Sequence, residues 1–197
     1  MSRVTFIFPC VGKRLGNRYP RSWIMEPLAI AQLSALTPAG WEKRFYDDRL
    51  EEIQYDEPTD LVALSVETYT ARRAYQISAQ FRRRGIPVVL GGFHPTLVPE
   101  DAAQHADAIV IGEAENVWSR VIEDILAGKL QSRYEGKQRL GMAGVFPDRA
   151  IFAGKHYIDL ALVETGRGCR HGCDFCSISA FFKGGFNARP VADVVQE

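Results

Sequence analysis

Five short apolar runs alternate along this chain with stretches of helical period. The runs are Val4 to Phe8, Lys43 to Tyr46, Leu61 to Val66, Pro87 to Leu90 and Ala108 to Ile111. Four of them are nearly continuous in apolar residues, the pattern of strands covered on both faces, as in parallel sheets. Between them, Leu28, Ile30, Leu33 and Leu36 follow Pro27 and stop before Pro38 and Gly40. Ala71, Ala74, Tyr75, Ile77, Ser78 and Phe81 repeat at helical spacing after a capping Thr70 and before Gly85. Val117, Trp118, Val121, Ile122, Ile125 and Leu126 do the same from about Ala114 to Ala127, ahead of Gly128. Strands of this length separated by crossover helices predict an open parallel α/β sheet over residues 1–130. Residues 131–157 are rich in Gly, Lys, Arg and Gln and read as a linker with a short hairpin, and residues 158–197 as the start of a second unit.

An open parallel sheet binds its ligands beyond the carboxyl ends of its strands. The turn after the first strand, Pro9 to Gly16, matches neither G-x-G-x-x-G nor a P-loop, which argues against dinucleotide and ATP sites there. Three later loops carry more. Ser65-Val66-Glu67-Thr68 follows the third strand, Gly91-Gly92-Phe93-His94-Pro95-Thr96 the fourth, and Gly112-Glu113-Ala114-Glu115 the fifth. Paired glycines at a strand end let backbone approach a large flat ligand. The same residues have plainer readings: Gly91 and Gly92 as a tight turn, His94 as a satisfied buried polar group, Ser65 and Thr68 as turn or capping residues, and Glu113 and Glu115 as acids suited to a helix N-terminus. The Trp118 stripe reads as core, and Cys10 as a small buried hydrophobe.

Cys169, Cys173 and Cys176 form a C-x3-C-x2-C run and are three of the four cysteines present. Thiolates are soft ligands that suit iron–sulfur clusters and zinc. Three of them leave a four-iron cluster with one iron free of protein ligands. Gly166, Gly168 and Gly172 supply backbone freedom, and Arg167 and Arg170 add positive charge that favours thiolates. The preceding Leu160 to Thr165 reads as a buried strand that delivers the cysteines to a loop at its end. A structural zinc site, built from the three cysteines with His171 or His156, is the alternative. Nothing marks the chain as secreted, which disfavours disulfides.

Composition excludes several partners. Apolar residues make up 46% and charged residues 24%, as in ordinary globular proteins, and the formal net charge is zero. No basic excess points to nucleic acid or an anionic surface. Arg82-Arg83-Arg84 reads as the solvated end of a helix. No apolar run reaches the ~18 residues of a membrane span, and the cytoplasm is the expected location.

C-x3-C-x2-C with Phe175 before the last cysteine resembles the signature of radical S-adenosylmethionine (SAM) enzymes, and Arg189 to Glu197 resembles the first helix of their barrel. That resemblance implies a 4Fe–4S cluster on Cys169, Cys173 and Cys176, SAM on its open iron with Phe175 near the adenine, and reductive release of a 5′-deoxyadenosyl radical. Gly91 to Thr96, Ala106-Asp107 and Gly112 to Glu115 resemble the cobalamin-binding domain that precedes the radical SAM domain in one branch of that family. The implied architecture is a Rossmann-like or flavodoxin-like cobalamin domain followed by the start of a radical SAM (β/α) partial barrel. The implied cobalamin contacts are Ser65, Glu67, Thr68, Gly91, Gly92, Phe93, His94, Gly112 and Glu113. D-x-H-x-x-G, whose histidine ligates cobalt in other cobalamin domains, is absent after the first strand, so the lower face is expected to be left to water or a bulky side chain.

The resemblance further implies methyl transfer to an unactivated carbon of a small-molecule or lipid-like substrate, with electrons from a flavodoxin- or ferredoxin-type donor. Ring formation or rearrangement by the same cofactors is the alternative, as is a cobalamin-binding module with no activity of its own. Only 21 residues follow Cys176. The glycine-rich SAM segment and the rest of a barrel are therefore expected in a longer enzyme, and this chain alone is expected to bind cobalamin better than it catalyses.

Overall fold

A computed structural model of the chain describes residues 1–12, 24–136 and 144–197. In chain order the elements are β1 (Ser2–Phe8), α1 (Leu28–Leu36), β2 (Trp41–Asp47), β3 (Leu61–Ser65), α2 (Ala71–Arg82), β4 (Val88–Gly91), α3 (Phe93–Leu97), α4 (Pro99–Ala103), β5 (Ala108–Ile111), α5 (Trp118–Leu126) and β6 (Arg133–Glu135). These are followed by β7 (Gly166–Gly168), α6 (Ser177–Phe182), β8 (Phe186–Ala188) and α7 (Val191–Gln196). Strands β1 to β6 form one sheet in the order β2-β1-β3-β4-β5-β6, every pairing parallel. The order reverses between β1 and β3, the switch point of a doubly wound sheet.

The two faces carry separate apolar layers. Side chains alternate along a strand, so Val4 and Phe6 fall on one face while Ile7 falls on the other. Phe6, Trp41, Leu61, Val89 and Val110 pack under α1 and α5 with Ile30, Trp118 and Val121. Ile7, Val62, Leu64, Val88, Leu90 and Ile109 pack under α2 and α4 with Ala74, Ile77, Phe81 and Ala102. Both layers are essentially closed to solvent, which is why the strands read as continuous apolar runs.

The five strands expected within residues 1–130 all form, most of them extended, shortened or shifted at an end. Pro27 caps α1 from outside its first turn. Thr70 precedes α2, as expected, but its hydroxyl faces backwards: the Glu67 N–H donates to Thr70 Oγ1 at 3.1 Å, and that hydroxyl donates to the Glu67 carbonyl at 3.0 Å. The helix expected from Ala114 starts as a 3-10 turn, Ala114–Asn116, and becomes α-helical at Trp118.

Two expectations are corrected. Residues 133–135 join the sheet as a sixth parallel strand beside β5, not as an arm of a hairpin. Tyr134 enters the α1/α5 layer, and this burial outweighs the polar composition around it. The rest of the expected linker lies in part at 137–143, outside the described residues. Leu160 to Thr165 is neither a strand nor buried. Leu160 and Val163 are exposed, and the segment's carbonyls at 162 and 165 accept from the Arg149 side chain and the Arg189 N–H in place of a strand ladder. The sequence turn after β1 is described only as far as Gly12.

Residues 144–158 strap this domain along the α1 side. The Asp148 N–H donates to the Ala31 carbonyl at 2.9 Å, and the Ser34 hydroxyl donates to Asp148 Oδ2 at 2.7 Å. Phe152 enters the core between Phe45 and Tyr157. The Tyr157 hydroxyl donates to the buried Asp47 carboxylate at 2.9 Å. Arg49 pairs with Asp47 at 2.6 and 2.9 Å, and the neighbouring Asp48, also fully buried, is held by the Arg73 fork at 2.8 and 2.9 Å, so both buried charges are compensated. β7 and β8 pair antiparallel as a small separate ribbon. Among the described residues no helix is long and apolar enough to cross a membrane.

Candidate cofactor cleft and cysteine loop

A cleft of about 240 Å³ opens at the carboxyl ends of β3, β4 and β5. Its floor is Ala63, Val89 and Val110; Leu28, Leu33 and Leu36 of α1 and Trp118 of α5 form one side. Of the nine residues expected to meet a cobalamin, Ser65, Glu67, Gly91, Gly92, Phe93, Gly112 and Glu113 line it. The parallel register explains the convergence, since Ser65 of β3 lies beside Gly91 of β4. The mouth is bounded by Phe93, Phe181 and Phe182, whose rings lie 4.5 and 4.6 Å apart in sequence along the cluster. A cavity of this size admits a flat heterocycle or the edge of a macrocycle, and a larger ligand would extend over the open strand ends.

The two paired glycines differ in kind. Gly92 has φ 103° and ψ −163°, a region open essentially to glycine alone, and a Cβ there would meet the Val66 carbonyl oxygen at 2.9 Å. Gly92 is therefore required by the turn. A Cβ on Gly91 would meet only Val110 Cβ, at an ordinary 3.8 Å, and both residues line the cleft. The fold has no steric need for glycine at 91, so its missing side chain leaves a space that serves the cleft. Thr96 joins the two loops: its Oγ1 accepts from the Gly112 N–H at 2.9 Å and donates to the Gly92 carbonyl at 2.8 Å. Gly136, just past β6, supports Glu113 from behind, where a Cβ would stand 1.9 Å from the Glu113 carbonyl oxygen.

Thr68 and His94 lie outside the cleft lining. His94 is buried, with Nε2 at 2.6 Å from the Tyr75 hydroxyl and Nδ1 at 3.4 Å from Thr68 Oγ1. Tyr75 also donates to Asp101 at 2.7 Å and stacks on His105 at 3.8 Å. Burial and the Asp101 charge push the Tyr75 hydroxyl well above the ordinary tyrosine range, so it remains a donor, and its hydrogen bond holds the Asp101 carboxyl low. This group braces α2 against α3 and α4. Glu67 faces the cleft, and burial raises its carboxyl above the usual carboxylate range.

The far wall comes from the C-terminal segment, which sequence reasoning did not connect to the cleft. Arg167 of β7 reaches into it. Nε donates to Glu164 at 2.8 Å, one terminal nitrogen contacts Glu113 at 3.0 Å and Glu115 at 2.5 Å, and the other donates to Gln32 at 2.7 Å and Glu164 at 3.0 Å. Gln32 in turn donates to Glu164 at 2.8 Å. These carboxylates raise the Arg167 guanidinium even beyond its usual range against the cost of burial. The arginine expected to favour thiolates therefore points away from the cysteines, at three carboxylates. Its position between two glycines, Gly166 and Gly168, was the one sequence hint of a special backbone setting.

The three cysteines lie beyond β7 on an open loop, none in a disulfide, with Cys173 exposed and Cys169 and Cys176 half-buried. The Cys169 N–H donates to the Gly185 carbonyl at 3.0 Å, and the His171 N–H points at Cys169 Sγ at 3.5 Å. Cys176 immediately precedes α6, and the N–H groups of Ser179 and Ile178 hold its thiol below the ordinary range. Phe175 is 93% exposed beside it. Among the described residues no three His, Cys, Asp or Glu side chains stand close enough together to hold a metal ion. Three soft donors on one short loop fit an iron–sulfur cluster in kind. Assembly of such a site requires the loop to tighten, which Gly172, with open space around it, permits.

A doubly wound parallel sheet with a cleft at the carboxyl ends of its strands and a cradle left by a glycine defines a cofactor-binding α/β domain. The particular family follows from comparison: residues 23–122 match the B12 binding domain, and the chain belongs to that family. Curated relatives include the bacteriochlorophyllide d C-8(2)-methyltransferase of Chlorobaculum tepidum, 36% identical over 160 residues, which covers 76% of this chain and 35% of that protein. The bacteriochlorophyllide d C-12(1)-methyltransferase of the same organism is 30% identical over 181 residues, 88% of this chain and 40% of that protein. The anaerobic magnesium-protoporphyrin IX monomethyl ester cyclase of Rubrivivax gelatinosus is 24% identical over 233 residues, 99% of this chain and 42% of that protein. The chain thus spans well under half the length of these relatives.

Proposed function

We propose that this chain is the cobalamin-holding and cluster-bearing part of a cobalamin-dependent radical SAM methyltransferase acting on a flat, tetrapyrrole-like small molecule. The observation that carries the reading is the cleft: a B12-family sheet edge lined by seven of the nine expected residues, with its far wall built from the segment that also bears the cysteines. Cobalamin supplies a transferable methyl group, and a 4Fe–4S cluster with SAM supplies the radical that opens an unactivated carbon to it.

The chain's own residues bind and orient. Gly91 leaves room for the ligand's edge, Gly92 and Gly112 bring the backbone close, and Ser65, Glu67 and Glu113 offer polar contacts to the amides around a corrin. Thr68 and His94 brace the rim from behind. Phe93, Phe181 and Phe182 exclude water from the mouth, which strengthens polar contacts inside. Cys169, Cys173 and Cys176 would hold the cluster, and exposed Phe175 would lie near the adenine of SAM. Attaching the cysteine loop to the wall of the cobalamin cleft keeps radical source and methyl donor within one short span. An electron donor of the flavodoxin or ferredoxin type completes the requirement.

A second reading, ring formation in place of methyl transfer, is favoured by the match of 99% of this chain to a protoporphyrin ester cyclase. Titration with hydroxocobalamin, followed by absorbance, tests the front domain; no spectral change at micromolar protein removes the cobalamin assignment. Anaerobic reconstitution with iron and sulfide tests the loop. About four irons per chain support a cluster. One tightly held zinc and no iron sink it. Methyl transfer and cyclisation separate by product mass when the cysteine loop is studied within a full-length relative.

A further inference from the structure

The cofactor cleft and the cysteine loop meet at one side chain. Arg167 contacts Glu113 and Glu115 at the rim on one side and sits two residues before Cys169 on the other. Its guanidinium has five N–H donors, and five contacts within 3.0 Å use them. Three carboxylates face this one cation, so the cluster carries an excess of acceptors, directed at a cleft whose proposed ligand is edged with neutral amide donors. Such donors compete with Arg167 for Glu113 and Glu115.

The backbone on both sides of Arg167 is tightly packed against β8 and the turn before it. Gly168, at φ 88°, packs so closely on the facing segment that a Cβ would stand 2.0 Å from the Gly185 carbonyl oxygen, and a Cβ on Gly166 would stand 2.9 Å from the Asn187 carbonyl oxygen. The Cys169 N–H is bonded to the same Gly185 carbonyl. Ribbon β7–β8 therefore shifts as a unit, and the first cysteine of the loop shifts with it. Other attachments of this segment include Phe181 on Phe93, which is apolar and carries no such competition, and the Gln32 amide on Glu164.

We propose that Arg167 is a positioning residue that restrains the Cys169–Cys176 loop while the cleft is empty and releases it when a ligand with amide donors occupies Glu113 and Glu115. This rests on the assignment of a corrinoid to the cleft. Coupling of this kind is reciprocal, so a cluster assembled on the released loop tightens the cleft's hold on its ligand by the same factor.

The test uses the whole chain, reduced and free of metal, with thiol labelling by iodoacetamide read residue by residue by mass spectrometry. Cyanocobalamin is the probe, because its cyanide ligand is inert towards thiols, and its binding is read separately by quenching of the cleft-lining Trp118. Buried Cys10 is the internal control for an intact fold. In the unsubstituted chain, saturating cyanocobalamin raises the labelling rate of Cys169 at least about fivefold, the lower end of typical coupling. Arg167→Ala labels at the fast rate without ligand and responds less than about twofold. Glu113→Gln with Glu115→Gln reaches the same state from the other side of the contact, and serves if Arg167→Ala loses Cys10 protection. Binding with no change in Cys169 labelling, slower labelling, or an unaltered response in both variants overturns the proposal. No quenching at all overturns the corrinoid assignment instead.

Discussion

Gly91 and Gly92 are adjacent, and they answer to different demands. Gly92→Ala forces a Cβ onto the Val66 backbone at a φ that only glycine tolerates. It is expected to destabilise the domain by about 1–3 kcal/mol, read as a lower urea midpoint. Gly91→Ala meets nothing tighter than 3.8 Å. It is expected to leave the urea midpoint within about 0.5 kcal/mol. Its added methyl instead intrudes on the cleft, and cobalamin affinity should fall at least about tenfold, the equivalent of 1.4 kcal/mol. Equal loss of stability in both variants would show that the pair serves the turn alone. The distinction was not legible in the sequence, where both glycines belong to one motif. It depends on which neighbour a Cβ would meet, and that neighbour is 19 or more residues away in the chain.

At the scale of elements, the strap at 144–158 and the ribbon at 166–188 hold to the sheet by different means. Asp148 fixes the strap: the Ser34 hydroxyl at 2.7 Å and the Lys43 ammonium at 3.2 Å hold its carboxyl below the ordinary range. A depressed carboxylate stabilises the fold above its unfolded pKa, and that contribution is lost as pH falls through the folded value. Asp148→Asn should therefore cost about 1 kcal/mol at pH 7, discounted for partial exposure, and the difference from the parent should be lost as pH falls below the ordinary carboxylate range in urea titrations. The ribbon is held by Phe181. Phe181→Ala removes a buried ring from the Phe93 contact and should loosen the ribbon by about 3 kcal/mol. Limited proteolysis would then cut within 160–188 while the sheet remains intact; uncut chain would mean that Arg167 alone suffices. Periodicity made the sheet and its helices legible because those segments bury whole faces. It failed at Leu160 to Thr165, where carbonyls accept from arginines in place of a strand ladder, and at Arg133 to Glu135, where one tyrosine and an open sheet edge were enough to recruit a polar segment.

For the whole molecule, one sheet with an apolar layer on each face should open as a single cooperative unit, with the ribbon and cysteine loop opening separately. Hydrogen exchange is expected to be slowest for β1, β3 and β4 and at least about tenfold faster for β7 and β8. Uniform protection across 1–197 would mean that the two parts are one body. The family was legible from the glycine and cysteine motifs, and the cleft's near wall from the ends of three strands. The far wall was not, because Arg167, Phe181 and Phe182 lie about 50 to 90 residues beyond the loops they face. That separation has a consequence during synthesis. A chain emerging at ~5–20 residues per second completes β1 to β5 seconds before residue 167 leaves the ribosome. For that interval the cleft has a floor and one side but no far wall, so a bulky cofactor can be seated from above before the last-made residues fold down over it.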